Sequence, residues 1–550
     1  MATYYVAEGG TAENKAAATS GTYPGGCMSV TVHNAGPFAA GDSILFSDEG
    51  GVIRGKVWPP TAGSDGSPIT YGAKAGDSPV ISAANVVETW TSEGSDIYSA
   101  DLTTETPQVF MDDVRLVQGA SEVSLNDHEW FWLSNKLYVR DDSGDPDVTG
   151  VVIEGSVETR CITNGTPWMI FENLVLEKST QENLNLHTAA ANIIIRNCGV
   201  FRALWRGIVK DGGAQEAANV TIDSCEVAYC GGNGIHAGGN SASWHVLRNH
   251  CHHNSQLHSR DNYTADIKTN ASSGHIIEYN LVENGRHVGI WCDTAGSGIY
   301  IQYNLVRNQT NDWAWAGQGI RLEDGITDSF VLYNVVYGCE NAGVVFSGTG
   351  SGGTGIHRNT AYGNTCYDNG TYGIQVNGLA SGGVAKCTDN VVKNNICIGH
   401  TYELDGHTGG ENDGTMGSGN VYESNCFGLE SSNFILWGAG NYYSTYDDWI
   451  AASSQTDNNV EADPSFTDAA GGDLTLASDS PCIDAGVDLG ASYDDALLPA
   501  STWPDGVVTG DQDYYGVGWN IGAYLYGTIS PVSTSYKNRT CRILHLIMGR

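Results

Sequence analysis

The chain has 550 residues, 41% hydrophobic and 16% charged, which supplies a large core and excludes a disordered chain. Its 26 Lys and Arg face 63 Asp and Glu, a formal net charge of −37. Such a surface excludes nucleic acid and anionic membranes as partners and suits Ca2+ without requiring it.

In chain order, the start Met1-Ala2-Thr3-Tyr4-Tyr5-Val6 is not a signal peptide, and no stretch is long and apolar enough to cross a membrane. The expected location is extracellular, with a leader removed or with export as a phage component. Residues 1–94 read as an N-terminal cap and first coils, carried by Ile44-Leu45-Phe46 and Ile69-Thr70-Tyr71. Residues 95–155 break the pattern: Val109-Phe110-Met111 and Leu137-Tyr138-Val139 read as strands of an inserted antiparallel β subdomain. Residues 156–430 are the main repeat, 431–529 a looser C-terminal cap region, and 530–550 a basic tail to which no role is assigned.

One line recurs in the main repeat: a β-branched run, Asn, an apolar pair, a Gly-containing turn and a second short strand. Ile276-Ile277-Glu278-Tyr279-Asn280-Leu281-Val282 is repeated as Tyr300-Ile301-Gln302-Tyr303-Asn304-Leu305-Val306 and as Phe330-Val331-Leu332-Tyr333-Asn334-Val335-Val336. Asn280 to Ile290, Asn334 to Val344 and Asn364 to Ile374 are each ten residues apart. A period of roughly 20–30 residues made only of strands and turns predicts an all-β, right-handed parallel β-helix. The Asn column is expected to stack in one turn, each amide bonding the next. Of the 14 Cys, Cys251, Cys366 and Cys397 fall at inward positions and read as small core residues; Cys198 and Cys225 stand at equivalent places on successive coils and could pair.

Side chains alternate along a strand, so the residue after each inward Ile or Val points out. The first outward column is Lys268, Trp291, Arg321, Val345, Gln375, and the second is Asn270, Asp293, Glu323, Ser347, Asn377. Asp293 and Glu323 are then neighbours on strands about 4.8 Å apart. A retaining glycosidase wants its two carboxyl groups about 5–5.5 Å apart. The competing explanation is a pair neutralised by Arg321 and Lys268, or a Ca2+ site. Arg321 is expected to serve Asp293. Sixteen residues instead of ten separate Asn304 from Ile320, adding Trp313 and Trp315, and eighteen separate Asn249 from Ile267, adding His258, Arg260 and Tyr263. Both loops enter at the level of the carboxylates, where Trp291, Trp313 and Trp315 would stack on sugar. His250, His252 and His253 read as turn residues that do not converge on a metal.

Gly289-Ile290-Trp291-Cys292-Asp293 and, a coil later, Ile320-Arg321-Leu322-Glu323 resemble the β-helical β-xylosidase family of glycoside hydrolases. The resemblance implies Asp293 as nucleophile and Glu323 as acid/base, with Thr294 standing where that family has Trp. Lys268-Thr269 followed by Asn280 is similar to the start of the alginate-type polysaccharide lyase pattern, whose Arg position is here Asp293. The reading is therefore an enzyme acting on a polysaccharide or oligosaccharide as a retaining hydrolase, without a required cofactor, as a monomer or a trimer. The alternatives are a Lys-based lyase, with Ca2+ assisting, and a non-catalytic carbohydrate-binding spike.

Overall fold

The computed structural model describes residues 1–187, 189–210, 217–239, 241–257, 263–310, 316–348, 355–378, 387–407, 417–438, 440–456 and 458–527. The short β-branched runs stack in parallel, coil upon coil. Among the described residues three long sheets hold 13, 11 and 12 strands. The first runs from Thr3–Ala7 to Val421–Glu423, the second from Ile53–Arg54 to Ile396–Ile398, and the third from Ile162–Asn164 to Asn441–Tyr443. Within one coil the chain visits them in that order, for example Ile276–Glu278, Leu281–Glu283, Val288–Asp293. Like residues stack on like: Ile277 pairs Ile301, Val282 pairs Val306, and Ile290 pairs Ile320, all fully buried. Each such side chain contributes on the order of 1.5–3 kcal/mol of burial.

The predicted Asn column forms the corner between the first and second sheets. The main-chain N–H of Asn249 donates to Asn280 Oδ1 at 2.9 Å, that of Asn280 to Asn304 at 3.0 Å, and that of Asn304 to Asn334 at 3.0 Å. Each Nδ2 also donates to a carbonyl of the coil before, as Asn304 does to Ile277 at 2.9 Å. The residue before each Asn adopts a left-handed turn, at φ 60° for Tyr279, 55° for Tyr303 and 51° for Tyr333. At the corner between the second and third sheets the matching column is mixed. Gly285 leaves a gap there that the Asp266 carboxyl fills: a Cβ on Gly285 would lie 2.1 Å from Asp266 Oδ2 and 2.5 Å from Gln309 Oε1. Asn254 Nδ2 donates to Asp266 Oδ1 at 2.8 Å. Burial pushes Asp266 up to about 8, so at neutral pH it is mostly protonated.

The antiparallel subdomain starts earlier than the sequence suggested. Ala84–Val86 pairs with Ile153–Ser156, and Thr91–Gly94 with Ile97–Asp101. One pairing in it is parallel, Val117 with Glu129. It has its own core around Trp90, Tyr98 and Trp130. The buried Lys178 ties it to the solenoid, bonding Glu154, Asp113 at 2.5 Å and Glu177 at 3.2 Å.

The C-terminal region divides. Residues up to 453 close the solenoid end: Asn441–Tyr443 pairs antiparallel with Ile435–Gly438, and the helix Tyr446–Ser453 lays buried Trp449 over the last coil. That helix starts where Thr445 accepts from Asp448 N, with Asp447 and Asp448 in its first turn favouring the helix dipole. The rest runs back along the side of the solenoid and covers the tyrosine stack beside the Asn corner. Tyr303 Oη donates to Asp495 O at 2.9 Å, and Trp503 Nε1 to Tyr303 O at 2.7 Å. A single terminal cap was the expectation; the tyrosines at 279, 303 and 333 demand cover along the flank. Cys198 and Cys225 are free thiols, and Cys251, Cys366 and Cys397 are buried as expected. Among the described residues no helix is long and apolar enough to cross a membrane.

Candidate functional site

The third sheet delivers the outward columns in the expected register. Lys268 pairs Trp291, Trp291 pairs Arg321, and Arg321 pairs Val345. Asn270 pairs Asp293, and Glu323 pairs Ser347. Cys292 pairs Leu322 immediately before Asp293 and Glu323, so the two carboxylates end adjacent strands on the outer face.

Each carboxylate has its own cation. Lys268 Nζ lies 3.0 Å from Asp293 Oδ2. Arg321 grips Glu323 through both nitrogens, Nε to Oε2 at 3.0 Å and Nη2 to Oε1 at 2.5 Å, while Nη1 donates to Gln318 Oε1 at 3.0 Å. Arg321 was expected to serve Asp293. It serves Glu323 instead because the two project from one strand two residues apart, where a guanidinium fork matches a carboxylate. Thr294, with φ 55°, turns its hydroxyl back to donate to Asp293 Oδ1 at 2.8 Å. Asp293 and Glu323 keep 14% and 10% of their side-chain surface open.

Trp291 is a correction. It was expected as an exposed sugar platform, and it is 1% exposed. Lys268 Nζ sits 3.5 Å from its ring centre, His287 stacks on it at 5.9 Å, and the Arg321 guanidinium lies 5.5 Å away. The indole thus anchors both cations from below. Tyr263, 60% exposed and 6.4 Å from the Trp291 ring, is the aromatic face that reaches solvent; its carbonyl also accepts from Lys268 Nζ at 3.0 Å. His258, Arg260, Trp313 and Trp315 lie outside the described residues.

Sequence reasoning missed two supports of this site and, further along the face, Asp405 and His407. Gln318 props Arg321. His287 backs Trp291. Further along the first column, Gln375 pairs Asp405, and Gln375 Nε2 donates to Asp405 Oδ2 at 2.6 Å. His407, two residues on, bonds the buried Asp405 and is raised above the usual histidine range by that bond. Asp405 and His407 were findable by carrying the alternation past Leu404. No described cluster of three or more metal-ligating side chains includes Asp293 or Glu323.

Residues 213–361, the coils that carry this site, match the family model described as a right handed beta helix region. The fold is that of a right-handed parallel β-helix. No curated protein matches the chain in sequence. Among solved structures, it is similar to XylC in complex with xylose, at TM-score 0.54 and 15% identity, covering 72% of this chain and 75% of that one. It is also similar to a structure described as a glycoside hydrolase, at TM-score 0.54 and 11% identity, covering 77% of this chain and 96% of the other.

Proposed function

We propose that the chain is a retaining glycoside hydrolase acting outside the cell on a polysaccharide or oligosaccharide. The carrying observation is the adjacency of Asp293 and Glu323 on the outer face, each held by its own cation. A purely structural solenoid gains nothing from stacking two acids, because like charges on neighbouring strands repel. Similarity of fold to a protein solved with xylose supports a sugar as the ligand.

In the proposed cycle Glu323, which takes up a proton from solvent as substrate displaces one arm of the Arg321 fork, gives that proton to the glycosidic oxygen as that bond breaks, and Asp293 attacks the anomeric carbon to form a glycosyl ester. Glu323, now a carboxylate, takes a proton from water as the water oxygen attacks the same carbon and frees Asp293. Lys268 and Thr294 hold Asp293; Arg321 positions Glu323. A Lys-based elimination fits less well, since the Lys268 ammonium is committed to Asp293, the Tyr263 carbonyl and the Trp291 ring.

The test is release of reducing ends across a panel of polysaccharides, with ultraviolet absorbance of unsaturated uronates followed in parallel. Reducing ends without that absorbance are expected, and Asp293→Ala should abolish them, with azide restoring turnover. Unsaturated product from both wild type and Asp293→Ala, lost in Lys268→Ala, would show a lyase instead.

A further inference from the structure

Outside the catalytic face, the second sheet carries a cluster whose chemistry the proposed reaction does not use. Glu226, His250 and His252 project from its outer face, each offering a ligand atom within 4.8 Å of the others. The sequence made all three histidines turn residues; His250 and His252 instead lie on a strand, while His253 stays out of the cluster. His250 and His252 are two apart on the strand His250–His252, so they share a face, and their rings lie 4.2 Å apart. Glu226 pairs His250 from the coil before, placing its carboxylate beside both rings.

We propose that Glu226, His250 and His252 bind a divalent first-row transition ion such as Zn2+, with His253 and Glu283 as its supporting shell. Two imidazoles and a carboxylate are a common donor set for such ions. Glu226 Oε1 lies 3.1 Å from His252 Nε2. Two ligands of one tetrahedral ion, each bound at about 2.0–2.1 Å, stand roughly 3.3 Å apart, so the carboxylate and ring need little movement to share a metal. Both ligand rings also have the outer partner that metal-bound histidines require. His250 Nε2 meets Glu283 Oε1 at 2.9 Å, which leaves the lone pair of His250 on Nδ1. His252 Nδ1 meets His253 Nδ1 at 2.8 Å, which leaves Nε2 for the ion. His253 reaches this position because its φ of 52° turns the chain back at the strand end.

Glu226 keeps 52% and His250 30% of their side chains exposed, which gives the ion a path in. The other described clusters lack this design. Asp113, Glu154 and Glu177 already hold Lys178, and the remaining two have at most one histidine each. A bound ion would pin the coil of Glu226 to that of His250 and, through Glu283, to the next.

The test is calorimetric titration of the full chain with Zn2+, followed by Co2+ as a spectroscopic probe. Wild type should bind one equivalent more than His252→Ala. Glu226→Gln, at an exposed position that leaves folding intact by circular dichroism, should lose that equivalent or bind it at least about 100-fold more weakly. Glu283→Gln should weaken it by about 10–100-fold. Co2+ should give the visible bands of a nitrogen-ligated ion in wild type and not in His252→Ala. Equal Zn2+ uptake by wild type, His252→Ala and Glu226→Gln, or none by wild type, overturns the site.

Discussion

The Asn corner and the outer face of the third sheet are built from the same coils and follow opposite rules. At the corner, one residue recurs at 280, 304, 334, 364 and 395, and each amide is satisfied by its own copy one coil away. On the face, Lys268, Trp291, Arg321, Val345, Gln375 and Asp405 follow one another with no repeat. Repetition solves a structural problem by translation, since an amide both donates and accepts. A carboxylate only accepts, so it cannot be satisfied by its copy and must meet an unlike group. Where a solenoid stops repeating on an ordered strand, it has been shaped for something other than stacking.

The largest effect should follow Asp293→Ala, a fall in turnover of roughly 10^4-fold or more, measured on an active substrate. Glu323→Gln should cost about 10²–10⁴-fold on poor leaving groups and far less on activated aryl glycosides, which need no protonation. If Trp291 is an anchor and not a platform, Trp291→Ala should lower stability by about 3–5 kcal/mol in urea unfolding, whereas Tyr263→Ala should raise KM with little change in stability. A Trp291→Ala enzyme of full stability with only a raised KM would return the ring to the sugar. At the corner, Asn334→Ala strips the acceptor from Asn304 N and Nδ2 and should cost about 3 kcal/mol, while activity per folded molecule stays unchanged.

A separate effect concerns pH. Asp266 is raised by burial to about 8, above its value in the unfolded chain. Its contribution to stability is therefore complete below the ordinary carboxylate range and is lost as pH rises through about 8. Asp266→Asn keeps the shape and removes the titration, so its unfolding midpoint should fall less than that of wild type as pH rises from about 4 to 8. Parallel curves for the two proteins would place the titration elsewhere.

The strands, the Asn ladder and the two outward columns were legible because a period of two along each strand and a fixed register between coils leave no freedom about which way Ile290 or Asp293 points. What lay between side chains was not. Nothing in Trp291 itself says that Lys268, His287 and Arg321 will cover it, because that depends on how far long side chains lean across neighbouring strands. The same applies to Arg321, whose partner is decided by reach along its own strand. His250 and His252 were misjudged by treating three consecutive-looking histidines as one group, when the period of two already placed two of them together. The flank-covering C-terminal region was hidden because a tyrosine at a turn reads as exposed until something packs on it.

The antiparallel turn at Asn441–Tyr443 and the helix behind it settle a matter of molecular company. Every coil of this solenoid presents its next neighbour with a row of unpaired amides and carbonyls, and the last coil would offer that row to any passing chain. The antiparallel strand Asn441–Tyr443 takes the place where the next parallel coil would pair in the third sheet, and Trp449 packs over the end. A chain truncated before residue 441 would keep its outward columns and gain a sticky terminus, able to recruit copies end to end into fibres.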